Sequence, residues 1–591
     1  MLHARHGPTG HAAAPSVVRF PLRPAPSPRS PLVLGVITAE PPRRLVPSGR
    51  PGPSRWNTWE PPRADVLGVA RTLTSATRVV DVMHLLRSED GIEKYYTVNP
   101  GSAFADGLDS YLSGLGINVL SWEEATRRSF DLAVSCSVHP TMRRLRAPLM
   151  VLPHGAGYNR LVTESTGEAA VPAGLSHREL MWRGKVVPKA IGVSHREQID
   201  RLAQSCPEAV PYAVPVGDWC FQRITASMAH RDRYRSRLGA VDGRRLVVVH
   251  STWSEHSLLG RHPELPLRLV TSLPADEFAV AAVLHPNVWA RHTPAGVLER
   301  LGAAMDAGLM IIPPQEGWRA AVVAGDWVVG DHGSTSFYSA AADRVTLLAA
   351  TGLDELDPLS PAAAFGRGAP RLDPEGDLLA QLLDAAGRHD PAALRPVVDG
   401  QLGSVDTSGE VTRARMYAFL AGRGVRPPSV TAYDVTGAHD VRGAVEVRRR
   451  PLVAGHHTRA LGFYAVTTEE THPHWPHAAE VLARTVADAE MAALDWIADA
   501  ASRYENLNVL VARLDETRCL VRLRGGRQLE ARTERAWGAR RPPLDPVLLG
   551  SAVNIRLTDP ERSADLADGL TLRTGEWSVR VAFTPPAPSG R

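Results

Sequence analysis

From about residue 64 to residue 350, short apolar runs alternate with amphipathic stretches. "VVDVMHLL" (79–86), "INVLSW", "DLAVSCS", "LMVLPHG", "KAIGVS" and "YAVPVG" each end in small or polar residues. They read as buried strands, with "SAFADGLDSYLSGLG" (102–116) a helix among them. A second series holds "RLVVVHST" (245–252), "FAVAAVLHP" (278–286), "LMIIPP" (309–314), "DWVVGDHGS" (326–334) and "VTLLAA" (345–350), with a helix expected over 294–308. Buried strands alternating with helices predict parallel βαβ units. The fold class expected is therefore α/β, with two Rossmann-like halves, 61–225 and 226–420. A Gly/Pro linker (421–430) leads to residues 431–591, where apolar and polar positions alternate as in half-exposed antiparallel strands. A helix at about 478–502 and strands at 508–514, 519–525, 552–557 and 577–583 make this an α+β domain of unknown role.

Residues 1–60 carry twelve prolines and eight arginines against two acids. This segment is expected to be mostly disordered, and "LVLGVI" (32–37) is its one strand candidate. A basic tail touching an anionic membrane surface is the alternative.

With 591 residues the chain exceeds one core. A net charge of +4 at this length does not suggest nucleic-acid binding. Only Lys94, Lys185 and Lys189 are lysines, so arginine-rich runs such as "EVRRRP" (446–451) read as composition before function. Four cysteines without a CxxC pair point to a reducing compartment, hence the cytoplasm. No apolar run reaches the ~20 residues of a membrane helix.

In open parallel sheets ligands lie beyond the carboxyl ends of the strands. Four such ends carry chemistry: "LPHGAGYNRL" (152–161), "VVVHSTWSEH" (247–256), "VLHPNVW" (283–289) and "DWVVGDHGSTSFY" (326–338). His154 and His285 are suited to proton transfer near neutral pH, and Gly155 admits a substrate close to the backbone. Gly333, Ser334, Thr335 and Ser336 offer backbone N–H groups and hydroxyls at an expected helix start, which suits a diphosphate. The ordinary explanation of that run is a helix cap. The expected site faces the cleft between the halves, opposite His154.

Histidines at 250, 256 and 262, and "THPHWPH" (471–477) with His456 and His457, lack a recognised metal spacing, so no metal is expected. No GxxxxGK[ST], GxSxG or strand-to-helix GxGxxG occurs, which argues against a P-loop NTPase, an α/β-hydrolase and a dehydrogenase.

Taken together, these strand ends resemble the motifs of the CDP-glycerol glycerophosphotransferases, teichoic-acid polymerase-like enzymes of GT-B fold. "PHGAGYNR" is similar to W-H-G-T-P-x-K-R, matching His154, Gly155 and Arg160. "STWSEH" resembles the PTWR segment at Thr252 and Trp253, and "LHP" the HP strand end at His285 and Pro286. "GDHGSTSFYS" resembles T-D-Y-S-S-x-x-F-D at Asp331, Ser334 and Phe337. The likeness spans roughly residues 80–350. Departures stand at Pro153, Asn159 and His332-Gly333.

The resemblance implies a transferase that moves a glycerophosphate or related group from a nucleotide-diphosphate donor, CDP-glycerol or similar, to a polyol or sugar acceptor. It implies no cofactor. His154, His285 and Asp331 would be catalytic, Gly333–Ser336 would hold donor phosphates, and Gly155, Arg160, Thr252 and Trp253 would bind substrate. Peripheral contact with the inner face of the membrane goes with this reading. The alternatives are a nucleotide-sugar glycosyltransferase or UDP-sugar 2-epimerase-like enzyme, and a non-catalytic GT-B-like scaffold.

Overall fold

A computed structural model describes residues 60–425 apart from positions 103, 106 and 242. Beyond these it describes 454–459, 462–468, 474–487, 492–533, 544–558, 566–574 and 577–586. The run 32–37, the rest of 1–59, residues 426–430 of the expected linker and 446–451 lie outside the described residues.

The first parallel sheet has seven strands. Ala64–Ala70 lies near its centre, paired with Ile92–Val98 on one side and Leu132–Ser135 on the other. Leu149–Val151, Ala190–Val193 and Ala213–Pro215 follow outward. The second parallel sheet has five strands, with Arg245–Ser251 between Phe278–Leu284 and Trp327–Gly330. Val345–Leu348 and Met310–Ile312 form its edges. Residues alternate between its faces: Val247 and Val249 join one core, Leu246 and Val248 the other. The two Rossmann-like halves are thus both present.

Helices join them. In Trp219–Ala226, Phe221 and Ile224 pack in the core with Val248 and Ala281 of the second sheet. Helix Ser408–Leu420 returns, placing Met416, Tyr417 and Leu420 against Ala64, Val66 and Leu132 of the first. The third sheet, eight-stranded, is mixed. Gly462–Thr468, Val481–Arg484 and Val509–Arg513 run parallel, and the remaining pairs are antiparallel. This is the expected α+β unit. Among the described residues no helix is long and apolar enough to cross a membrane.

Several expected elements change. Residues 79–86 are not a strand; they lie in and just beyond helix Leu73–Met83. Thr72 and Ser75 form a reciprocal capping box, and Leu73, Ala76, Val79, Val82 and Met83 bury one face at helical spacing. Residues 552–557 fall in helix Pro546–Thr558, not a strand. The helix read at 478–502 divides into strand Val481–Arg484 and helix Ala493–Arg503. The 102–116 helix shortens to Leu108–Gly114, and 294–308 becomes Pro294–Arg300 and Gly302–Asp306.

Candidate functional site

The loop after strand Leu149–Val151 carries His154, Gly155 and Arg160, and it lies against the second half along much of its length. Its backbone bridges residues 355–357: Leu161 N–H donates to the Glu355 carbonyl at 2.8 Å, and Asp357 N–H to the Asn159 carbonyl at 2.8 Å. Gln401 donates to the Ala156 carbonyl at 2.6 Å. Gly157 sits at φ 80°, where an added Cβ would fall 2.0 Å from the Gln401 amide, so that position requires glycine.

The decisive contact is with the opposite helix, Ser334–Ala341. Ala156 N–H donates to Ser334 Oγ at 3.1 Å, and a Cβ on Gly155 would lie 2.5 Å from the same oxygen. The first turn of this helix therefore meets the His154 loop. Its N-cap is Gly333, with no side-chain cap, so Ser334 and Thr335 are not spent on the ordinary capping role. Thr335 is half-buried, and its carbonyl accepts from Ser339 Oγ at 2.8 Å.

Two assignments need correction. The Ser336 hydroxyl does not reach the cleft. Two residues along a helix is a rotation of about 200° from Ser334. Ser336 Oγ is accordingly buried beneath strand Trp327–Gly330, where a Cβ on Gly330 would lie 2.1 Å from it. Asp331, expected to be catalytic, is 1% exposed and fully engaged. Its Oδ2 accepts from Thr252 N–H (2.7 Å), Thr252 Oγ1 (2.9 Å) and Leu258 N–H (2.9 Å), and its Oδ1 from Gly333 N–H (3.0 Å). It ties the 252–258 turn to the helix start. Gly333 serves that packing, since a Cβ there would meet Thr252 Cγ2 at 2.5 Å.

His154 is exposed to solvent, at the end of a strand whose flanks are packed with protein groups. Desolvation by those groups lowers its pKa, as do the charges of Arg78 and Arg160, while the Cys136 backbone opposes the fall. Solvent at the ring's open face moderates the desolvation. His285 caps helix Pro286–His292, its Nδ1 accepting from Asn287 N–H at 3.1 Å. Burial, Arg160 and His154 push it down to about 3. His154, His285 and Arg160 thus share one electrostatic neighbourhood.

Arg160 Cζ lies 4.4 Å from the centre of the Trp253 ring, which in turn stands 5.0 Å from the Phe104 ring. Arg160 Nη2 pairs with Glu355 Oε1 at 2.8 Å. Glu355 Oε2 accepts from Ser254 Oγ at 2.6 Å and lies 3.0 Å from His332 Nε2. Burial pushes the Glu355 carboxyl up, but His332, Arg160 and Ser254 overcome it and hold the group at about 2. Glu355 was missed in the sequence. Its only signal was position, in the loop beyond the carboxyl end of strand Val345–Leu348.

A cavity of about 590 Å³ opens beside this cluster, walled by residues 348–354 with His256, Arg261 and Arg371. Gly352 joins the two: at φ 49°, its Cβ position is 2.1 Å from His332 Nδ1. His250 is buried and pushed down to about 3 by desolvation. Among the described residues no three His, Cys, Asp or Glu side chains come together as metal ligands would. The side chains of His456, His457, His472 and His474 lie outside the described set.

Comparison with known proteins gives structural likeness alone. No family model matches the chain, and no curated protein matches it in sequence. It is similar to the wall teichoic acid polymerase TagF at 10% identity and a TM-score of 0.42, over 61% of this chain and 89% of that one. It is similar to a UDP-GlcNAc 2-epimerase from Neisseria meningitidis bound to UDP-GlcNAc, at 13% identity and a TM-score of 0.38, over 60% of this chain and 100% of that one. A glycosyltransferase from Rickettsia africae matches at 12% identity and a TM-score of 0.35, over 61% and 98%.

Proposed function

We propose that the chain is a GT-B-type transferase that moves a glycerophosphate or related group from a nucleotide-diphosphate donor to an acceptor hydroxyl. One observation carries this reading: the His154 loop meets the side-chain-uncapped first turn of helix Ser334–Ala341 across the two halves. The loop of a proton acceptor and a helix start suited to an anion then meet at one place.

In the proposed reaction the acceptor oxygen bonds to the transferred phosphorus. The bond from that phosphorus to the bridging oxygen breaks, and a nucleoside monophosphate leaves. The hydroxyl proton passes to His154, whose lowered pKa keeps it neutral and able to accept near pH 7. Ser334 and Thr335 hold the donor phosphates with the helix N–H groups, and His285, in the electrostatic range of His154 and Arg160, serves as a neutral donor or acceptor. Asp331 positions this turn and does not touch substrate. The nucleoside extends toward the cavity at residues 348–354.

His154→Ala should lower donor turnover by roughly a hundred- to ten-thousandfold without loss of folding. Turnover near wild type in that variant would remove the base assignment. A thermal-shift panel of CDP-glycerol, CDP-ribitol, UDP-sugars and GDP-sugars tests the donor class. A donor at a hundred times its Kd adds about 2.7 kcal/mol of stability. Stabilisation by UDP-sugars alone would replace the glycerophosphate reading with a nucleotide-sugar enzyme.

A further inference from the structure

Glu355 stands where the two sides of the site interleave. Phe104 and Arg160 come from the first half, and Trp253, Glu355 and His332 from the second. They follow one another in the order Phe104, Trp253, Arg160, Glu355, His332, at successive separations of 5.0 Å, 4.4 Å, 2.8 Å and 3.0 Å. The carboxylate is gripped at both oxygens, by Arg160 on one and by Ser254 and His332 on the other. The Glu355 backbone carbonyl also holds Leu161 N–H. One residue of the second half therefore fixes both the side chain and the backbone of the segment that carries His154.

We propose that Glu355 is a positioning residue of the transfer site, holding Arg160 and through it the 154–161 loop so that His154 faces the gap at Ser334. This rests on the transferase reading above. Glu355 touches neither the transferred phosphorus nor the acceptor in this role.

The arrangement has an electrostatic signature that mere loop packing lacks. The charged and titratable groups facing His154 are Arg78 from helix Leu73–Met83, Arg160 from its own loop and His285 from the start of helix Pro286–His292. Arg160 lowers the pKa of His154, and the Glu355 carboxylate paired with Arg160 offsets part of that charge. Removing the carboxylate charge leaves Arg160 uncompensated, so His154 should titrate at lower pH. Removing the Arg160 charge should do the reverse.

The test is an NMR titration of the imidazoles in the full-length chain, with His154 assigned by the signal lost in His154→Ala. Glu355→Gln should move the His154 titration down, and Arg160→Gln should move it up, each by roughly half a pH unit or more. Shifts of opposite sign support the proposal; no shift, or two shifts of the same sign as general loosening would give, overturns it. Arg160→Gln carries the test if Glu355→Gln does not fold. With a turned-over donor, Glu355→Gln should lower kcat roughly ten- to a hundredfold while donor KM changes little, and Glu355→Asp should recover part of the loss. An increase in KM with kcat unchanged would make Glu355 a donor-binding residue and end the positioning assignment. If the wild-type chain turns over no donor, the functional reading fails, and the titrations alone still decide the role of Glu355.

Discussion

At the scale of single residues, the environment decides what each polar group can do. Ser334 and Ser336 are two positions apart, yet one hydroxyl bonds across the cleft and the other lies in the core. Ser334→Ala should therefore cost little stability, about 1 kcal/mol for one lost hydrogen bond, because no cap is removed. Its Kd for the donor should rise several-fold, measured by titration beside the thermal midpoint; a large drop in midpoint with unchanged Kd would make the residue structural.

Two histidines set a pH dependence. His250 and His285, ordinarily near 6.5, are each pushed down to about 3. Between these values the unfolded chain binds protons that the folded chain refuses, so stability should rise with pH from about 3 to about 6.5. The slope approaches about 1.4 kcal/mol per pH unit for each histidine within that window. Glu355 acts lower down: its contribution is whole above the ordinary 4.5 and is lost as pH falls through about 2. Thermal midpoints measured from roughly pH 4 to 7 should climb; a flat profile would mean that these rings protonate in the folded state.

At the scale of elements, legibility followed the apolar pattern and failed where two patterns coincide. The second sheet was readable strand by strand because Arg245–Ser251, Phe278–Leu284 and Trp327–Gly330 are continuous apolar runs bounded by polar residues. Residues 79–86 misled because Val79, Val82 and Met83 also satisfy a helix, and the deciding signal was the Thr72/Ser75 box upstream. Conversely, Ile92–Val98, with Glu93 and Lys94, hides a strand behind charged residues. The candidate histidines and the Ser/Thr turn were visible as strand ends, whereas Glu355 was not. Its role depends on Arg160, 195 positions away, and no local pattern encodes that pairing.

The loop holding Glu355 adds its own requirement. Gly352 adopts φ 49° against the His332 ring, so Gly352→Ala combines backbone strain with a steric clash. A loss on the order of 1 to 2 kcal/mol is expected, with weaker donor stabilisation in thermal shift, because His332 must move away from Glu355. An alanine variant with both values unchanged would show that the ring is free to give way.

Across the whole molecule, the site depends on how the two halves are fastened. Asp81, on a helix of the first half, pairs with Arg223 and with Arg319, which lies on helix Trp318–Ala324 of the second. Asp81 is 6% exposed, Arg223 3% and Arg319 1%. Burial raises the Asp81 carboxyl, but Arg319 and Arg223 hold it below its ordinary range, so it stays ionised. Arg319 also pairs with Glu316, and Arg201 of the first half pairs with Asp357 of the second at 2.9 Å. Charges so deeply buried contribute less through attraction than they cost when a partner is removed. Asp81→Asn leaves two guanidiniums facing a neutral amide in a dry interface, and a loss of about 3 to 5 kcal/mol is expected. Because the damage lies between the halves and not within either sheet, calorimetry should show the melting of the two halves separating into distinct transitions. A single transition shifted by less than about 1 kcal/mol would mean that the helices Trp219–Ala226 and Ser408–Leu420 fasten the halves without this network.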